Sequence, residues 1–83
     1  MDIYDAQKHT LRYYRSISGL TQTELGRRTG MSHESIWGYE NKHTIPLDRV
    51  EVFCEFFGIT IVDWFYTVQM FKKMSKETKA AKQ

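Results

Sequence analysis

The chain is poor in the features that mark several protein classes. It has a single cysteine, Cys54, so no intrachain disulfide can form. It has a single proline, Pro46, and no run near the ~20 apolar residues of a membrane-crossing helix. The N-terminal MDIYDAQK has no apolar stretch of the kind a secretory signal needs. The expectation is a reduced, cytoplasmic protein. Period-two alternation is poor, so no strand is expected. Glycine-rich phosphate loops, H-E-x-x-H and nucleophile–base patterns are missing, which argues against an enzyme and against a cofactor. His9, His33 and His43 have no metal-ligand spacing among themselves or with Cys54, so no metal site is expected.

Charge of one sign is also scarce. The net charge is +2 over 83 residues. Residues 1–57 carry Lys8, Arg12, Arg15, Arg27, Arg28, Lys42 and Arg49 against eight carboxylates, and so net −1. The basic excess lies in Lys72, Lys73, Lys76, Lys79 and Lys82, which is weak support for nucleic-acid binding. Those lysines would add salt-sensitive attraction to DNA or simply solubilise the terminus.

What is present fits one small globular domain. Apolar residues make up 41% of the chain and charged residues 27%, which suits a packed core better than disorder. A chain of this size buries only roughly 60–65% of its unfolded surface, so it needs an efficient core, a staple or a partner subunit. Aromatic residues, 14% of the chain, can fill such a core.

The helical period recurs throughout. A first helix reads as 3–18, capped by Asp2, with Ile3, Leu11, Tyr14 and Ile17 near one face and Gly19 as a stop. A second reads as 22–29: Thr21 and Glu24 form a capping box, and Gly30 ends it. A third reads as 33–41 behind the N-cap Ser32, with Ile36 and Tyr39 facing the core. Pro46 opens a fourth at 47–57, where Val50, Phe53, Cys54 and Phe57 form an i, i+3, i+4, i+7 stripe and Asp48 sits in the first turn. The stripe makes Cys54 a small buried hydrophobe. A fifth runs from 61 to the mid-70s behind Thr60, with Ile61, Trp64, Phe65, Val68 and Phe71 at the same spacing. The predicted fold is all-α, a compact five-helix arrangement with an amphipathic C-terminal helix. The expected division is a core domain at 1–66 and a helix extension with a basic tail at 67–83.

Helices two and three are joined by Thr29-Gly30-Met31-Ser32, a short glycine-containing connection of the helix-turn-helix kind. The longer string GLTQTELGRRTGMSHESIWGYEN, residues 19–41, resembles the Cro and phage-repressor type of helix-turn-helix, the Xre-like family of bacterial and phage regulators. The matching features are Leu20, Thr21-Gln22, Glu24-Leu25, Gly30-Met31-Ser32, Ser35-Ile36 and Glu40-Asn41, followed by Pro46-Leu47, the helix-four stripe and Gly58-Ile59. The resemblance covers roughly residues 8–66.

That resemblance implies a DNA-binding transcription regulator whose third helix lies in the major groove. Ser32, His33, Glu34 and Ser35 would face base edges, with Trp37 and Gly38 one turn further on. Gln22 would meet a phosphate and the recognition helix, and Asn41 and Lys42 would add a backbone contact. Arg15 and Glu40 match positions where relatives form a partly buried ion pair, structural before functional. Glu34 can accept from a cytosine amino group while repelling phosphates, and Gly38 stands where the family often has a long polar side chain. Arg27 and Arg28 end the second helix, where cations suit the dipole in any case.

The fifth-helix stripe exceeds what so small a core requires, so Trp64, Phe65, Val68 and Phe71 are expected at a homodimer interface, or else folded back on the core. A symmetric dimer would bind a pseudo-palindromic operator as a repressor. The competing expectation is a protein-interaction module, antitoxin-like or an anti-repressor target, that uses the fifth helix and binds DNA weakly. A DNA-binding subunit of an enzyme complex is a third.

Overall fold

The computed structural model describes residues 1–81, with side chains through Met74. Lys76, Lys79 and Lys82 of the expected basic tail lie outside the described side chains. Five α-helices follow one another: α1 (Ile3–Ile17), α2 (Gln22–Thr29), α3 (His33–Asn41), α4 (Leu47–Phe57) and α5 (Ile61–Ala81). No strand occurs among the described residues.

The helix starts follow from capping chemistry. The Asp2 side chain accepts from the Asp5 N–H at 2.9 Å. Thr21 and Glu24 satisfy each other reciprocally, both bonds at 3.1 Å. Thr60 and Asp63 do the same at 3.0 Å, so a T-x-x-D string makes a second capping box. Each of these carboxylates is held below its ordinary pKa, chiefly by the backbone N–H it accepts. Pro46 is the N-cap of α4 rather than its first helical residue, and Leu47 opens the helix. Gly30 and Gly58 close α2 and α4 in the left-handed conformation.

Leu11, Leu25, Ile36, Phe53, Trp64 and Val68 are fully or almost fully buried and form one core drawn from all five helices. Aromatic rings bind α5 to it. Trp64 stacks on Phe53 at 6.4 Å and on Tyr14 at 6.1 Å, and the Tyr14 hydroxyl meets Thr67 Oγ1 at 2.8 Å. Tyr13 and His9 of α1 each lie 5.9 Å from the Phe71 ring.

Two expectations change here. Trp64 and Val68 were expected to meet a second copy of the chain. Both are 0% exposed, inside the core of their own protomer, because α5 packs along α1. Phe65 and Phe71 are half-buried against the same core. Among the described residues, the outward apolar side chains of α5 are Val62, Tyr66, Met70, Met74 and, contrary to the stripe read from sequence, Ile61. Ile17, expected near the apolar face of α1, is exposed at the end of that helix. Trp64 Nε1 is buried with no hydrogen-bond partner among the described residues.

Candidate functional site

The connection between α2 and α3 is as tight as backbone allows. A Cβ placed on Gly26 would stand 2.6 Å from the Met31 carbonyl oxygen, so α2 meets the turn with no room for a side chain. The Gly26 carbonyl in turn accepts the N–H of Gly30 and, at 2.8 Å, that of Met31. The turn is thereby fastened to α2 before α3 begins at Ser32.

The inward face of α3 is fixed by Ile36 and Glu40, both buried. Arg15 reaches Glu40 with two donors, Nε to Oε2 at 2.6 Å and Nη2 to Oε1 at 2.9 Å, in a bidentate fork. A third Arg15 donor, Nη1, binds the Leu20 carbonyl at 2.9 Å. The Glu40 carboxylate raises the pKa of the Arg15 guanidinium above its ordinary value, chiefly through these hydrogen bonds. Gln22 Nε2 donates to Glu40 Oε1 at 3.2 Å, and Arg12 Nε stands 3.6 Å from the same oxygen. One buried carboxylate therefore ties α1, α2 and α3 together, and it is matched in charge and hydrogen bonding.

Arg12 has partners on α3 besides that carboxylate. It also donates through Nη2 to the Glu40 carbonyl at 3.0 Å and to Asn41 Oδ1 at 3.2 Å. The spacing of Arg12 from Arg15, three residues on one helix, is the signal that places both guanidinia on the face toward Glu40.

The outward face of α3 is exposed except at Gly38. His33, Glu34, Ser35 and Trp37 are exposed, and Trp37 retains 44% of its surface. Ser32 is occupied as the N-cap, accepting from the Ser35 N–H at 3.1 Å. Its hydroxyl donates to Ser35 Oγ at 2.9 Å, which leaves the Ser35 hydrogen for an outside acceptor. Gln22, half-buried, is turned to Glu40. Asn41 and Lys42 are exposed, yet the Asn41 amide is held at both ends, by Arg12 and by the Trp37 carbonyl at 2.9 Å. Gly38 departs from expectation: it is buried beneath the His43 imidazole, so its own surface is not available for contact. Arg27 and Arg28 are exposed at the end of α2.

Among the described residues, no three His, Cys, Asp or Glu side chains gather where a metal ion could be held. No described helix is long and apolar enough to cross a membrane. Cys54 is 5% exposed in the α4 stripe, and burial raises its thiol pKa.

The family model described as a helix-turn-helix domain matches residues 9–63. The chain belongs to the helix-turn-helix family, of the Cro and phage-repressor type. It is 36% identical over 59 residues to an uncharacterised helix-turn-helix-type transcriptional regulator of Methanocaldococcus jannaschii, a match covering 70% of this chain and 89% of that protein. Its fold is similar to the crystal structure of the clp gene regulator ClgR from Corynebacterium glutamicum. The TM-score is 0.84 at 17% identity, over 99% of this chain and 89% of that one. Within this helix-turn-helix, α2 is the supporting helix, Gly30 to Ser32 the turn, and α3 the helix whose outer face is left open.

Proposed function

We propose that the protein is a DNA-binding transcription regulator, a repressor, that binds a pseudo-palindromic operator as a homodimer with α3 in the major groove. The observation that carries this reading is the division of α3: Glu40 locks its inner face to α1 and α2, while His33, Glu34, Ser35 and Trp37 are exposed on the outer face. A helix held at a fixed angle with a polar and aromatic outer strip is what direct readout of base edges requires. In this reading Glu34 accepts from a cytosine amino group, Ser35 offers a donor, and Lys42, just past α3, meets a phosphate. Gln22 and Asn41 act mainly by holding α3 in place. No catalytic step is part of this function.

The homodimer is supported by the outer side of α5. Tyr66, Met70 and Met74, with Tyr13 of α1 opposite, line an apolar groove of about 310 Å³. An exposed apolar patch of this kind on a small domain marks an interaction surface.

Selection of bound sequences from a random duplex pool, at near-physiological salt, tests the proposal. A two-fold symmetric motif is expected. The second reading, a protein-interaction module, is favoured by the same α5 groove and by the net charge of −1 over residues 1–57. Salt separates the two: a regulator loses affinity steeply as salt rises, whereas an interaction module shows little affinity at any salt.

A further inference from the structure

His33, Glu34, Trp37 and residue 38 share the outer strip of α3, since residues three and four apart along a helix are neighbours on its surface, as 33 with 37, 34 with 37 and 34 with 38 are. All but Gly38 are exposed. Gly38 is covered by a side chain from outside the helix. A Cβ built on it would lie 2.7 Å from Cδ2 and 3.3 Å from Nε2 of His43. The chain doubles back to put the ring there: the N–H groups of Lys42 and His43 both donate to the Gly38 carbonyl, each at 2.7 Å. His43 itself is exposed, and its ring nitrogens have no hydrogen-bond partner among the described residues. The imidazole thus occupies the outer strip one turn beyond Glu34, where Gly38 offers no side chain, and it is poised over the helix rather than over the turn.

Resting on the DNA-binding reading above, we infer that His43 reads a base edge from outside the recognition helix, donating a ring N–H to the acceptor edge of a guanine. Guanine presents two acceptors, N7 and O6, in the major groove, and an imidazole always has at least one N–H to give. Phosphate is the less fitting target, because the His43 ring is seated over Gly38 on the strip itself, and the exposed Lys42 beside it supplies a cation for a phosphate. The glycine at 38 is then a requirement of specificity, because any side chain there displaces the ring that does the reading.

Selection from a random duplex pool with wild type, His43→Ala, Gly38→Ala and Lys42→Ala tests the inference. His43→Ala is expected to lose roughly tenfold preference for guanine at one base pair per half-site. That pair should differ from the one relaxed by Glu34→Ala. Gly38→Ala should relax the same pair as His43→Ala, with helical content by circular dichroism preserved, because the atom in its way is a flexible ring. The double variant should be no worse than either single one. Lys42→Ala should weaken all sequences alike. An unchanged motif for His43→Ala overturns the inference while leaving the operator reading intact. A uniform loss of affinity with His43→Ala, the signature of a phosphate contact, also overturns it. If wild type itself enriches no motif, the operator reading falls and the inference falls with it.

Discussion

The two faces of α3 are built on opposite plans. On the inner face the buried charge is answered: Glu40 accepts from Arg15 twice and from Gln22, with Arg12 close by. On the outer face Glu34, His33 and Trp37 are exposed to solvent. A buried carboxylate with three partners is tolerable only if each is in place, so the inner face has little freedom. The outer face is free of that demand, and its side chains can be chosen for what they recognise. In the proposed function, orientation and recognition therefore fall to different residues of a nine-residue helix.

The strongest way to break this division is to remove the anchor. Glu40→Ala leaves Arg15 without its carboxylate and is expected to destabilise the fold by about 3–5 kcal/mol, measured by urea unfolding. For a small domain that is a large share of total stability. Next is the turn. Gly26→Ala drives a Cβ against the Met31 carbonyl, a backbone atom that cannot rotate away. A loss of about 2 kcal/mol or more is expected in the same assay, of the size seen for overpacking. Gly38→Ala is the contrast, since a flexible ring is all that stands in its way, and in an interior helical position it should be neutral or stabilise by up to ~1 kcal/mol.

On the outer face, Glu34→Ala should change stability by less than about 0.5 kcal/mol, as exposed substitutions do. Binding should respond instead, with roughly tenfold relaxed selectivity at one base pair per half-site in a selection experiment. An unfolding change as large as that of Glu40→Ala would dissolve the distinction between the faces.

The smallest effect concerns pH. Asp2, Glu24 and Asp63 have their folded pKa values below the ordinary 3.8 for aspartate and 4.5 for glutamate. A depressed carboxylate contributes stability that is complete above its unfolded pKa and is lost as pH falls through the folded one. The melting temperature should therefore hold until about pH 5 and decline below it. Glu24→Gln with Asp63→Asn should make that acid decline shallower.

How much of this was legible in the sequence depends on range. The helices announce themselves locally: Thr21 with Glu24, Ser32, Gly30 and Gly58 mark ends by chemistry that involves only neighbours. The Arg15–Glu40 pair rests on resemblance, since spacing alone does not bring residues 25 apart in sequence together. The destination of the α5 stripe was not legible. An i, i+3, i+4 pattern states that Trp64 and Val68 need an apolar partner, not whether α1 or a second copy provides it. The Gly38–His43 contact was hidden for a related reason. A glycine in a helix reads as a missing contact until the following loop is seen to fold over it. The Arg12–Asn41 hydrogen bond was hidden as well, since the reach of Arg12 from α1 is again a tertiary matter.

The most direct test of the account is a titration of isotope-labelled protein with duplex carrying a selected motif, followed residue by residue by nuclear magnetic resonance. The largest shifts are expected at His33, Glu34, the Trp37 indole and His43, with Leu25, Phe53 and Trp64 of the core nearly unmoved. Shifts concentrated on Tyr66 and Met70, with the outer face of α3 silent, would contradict it.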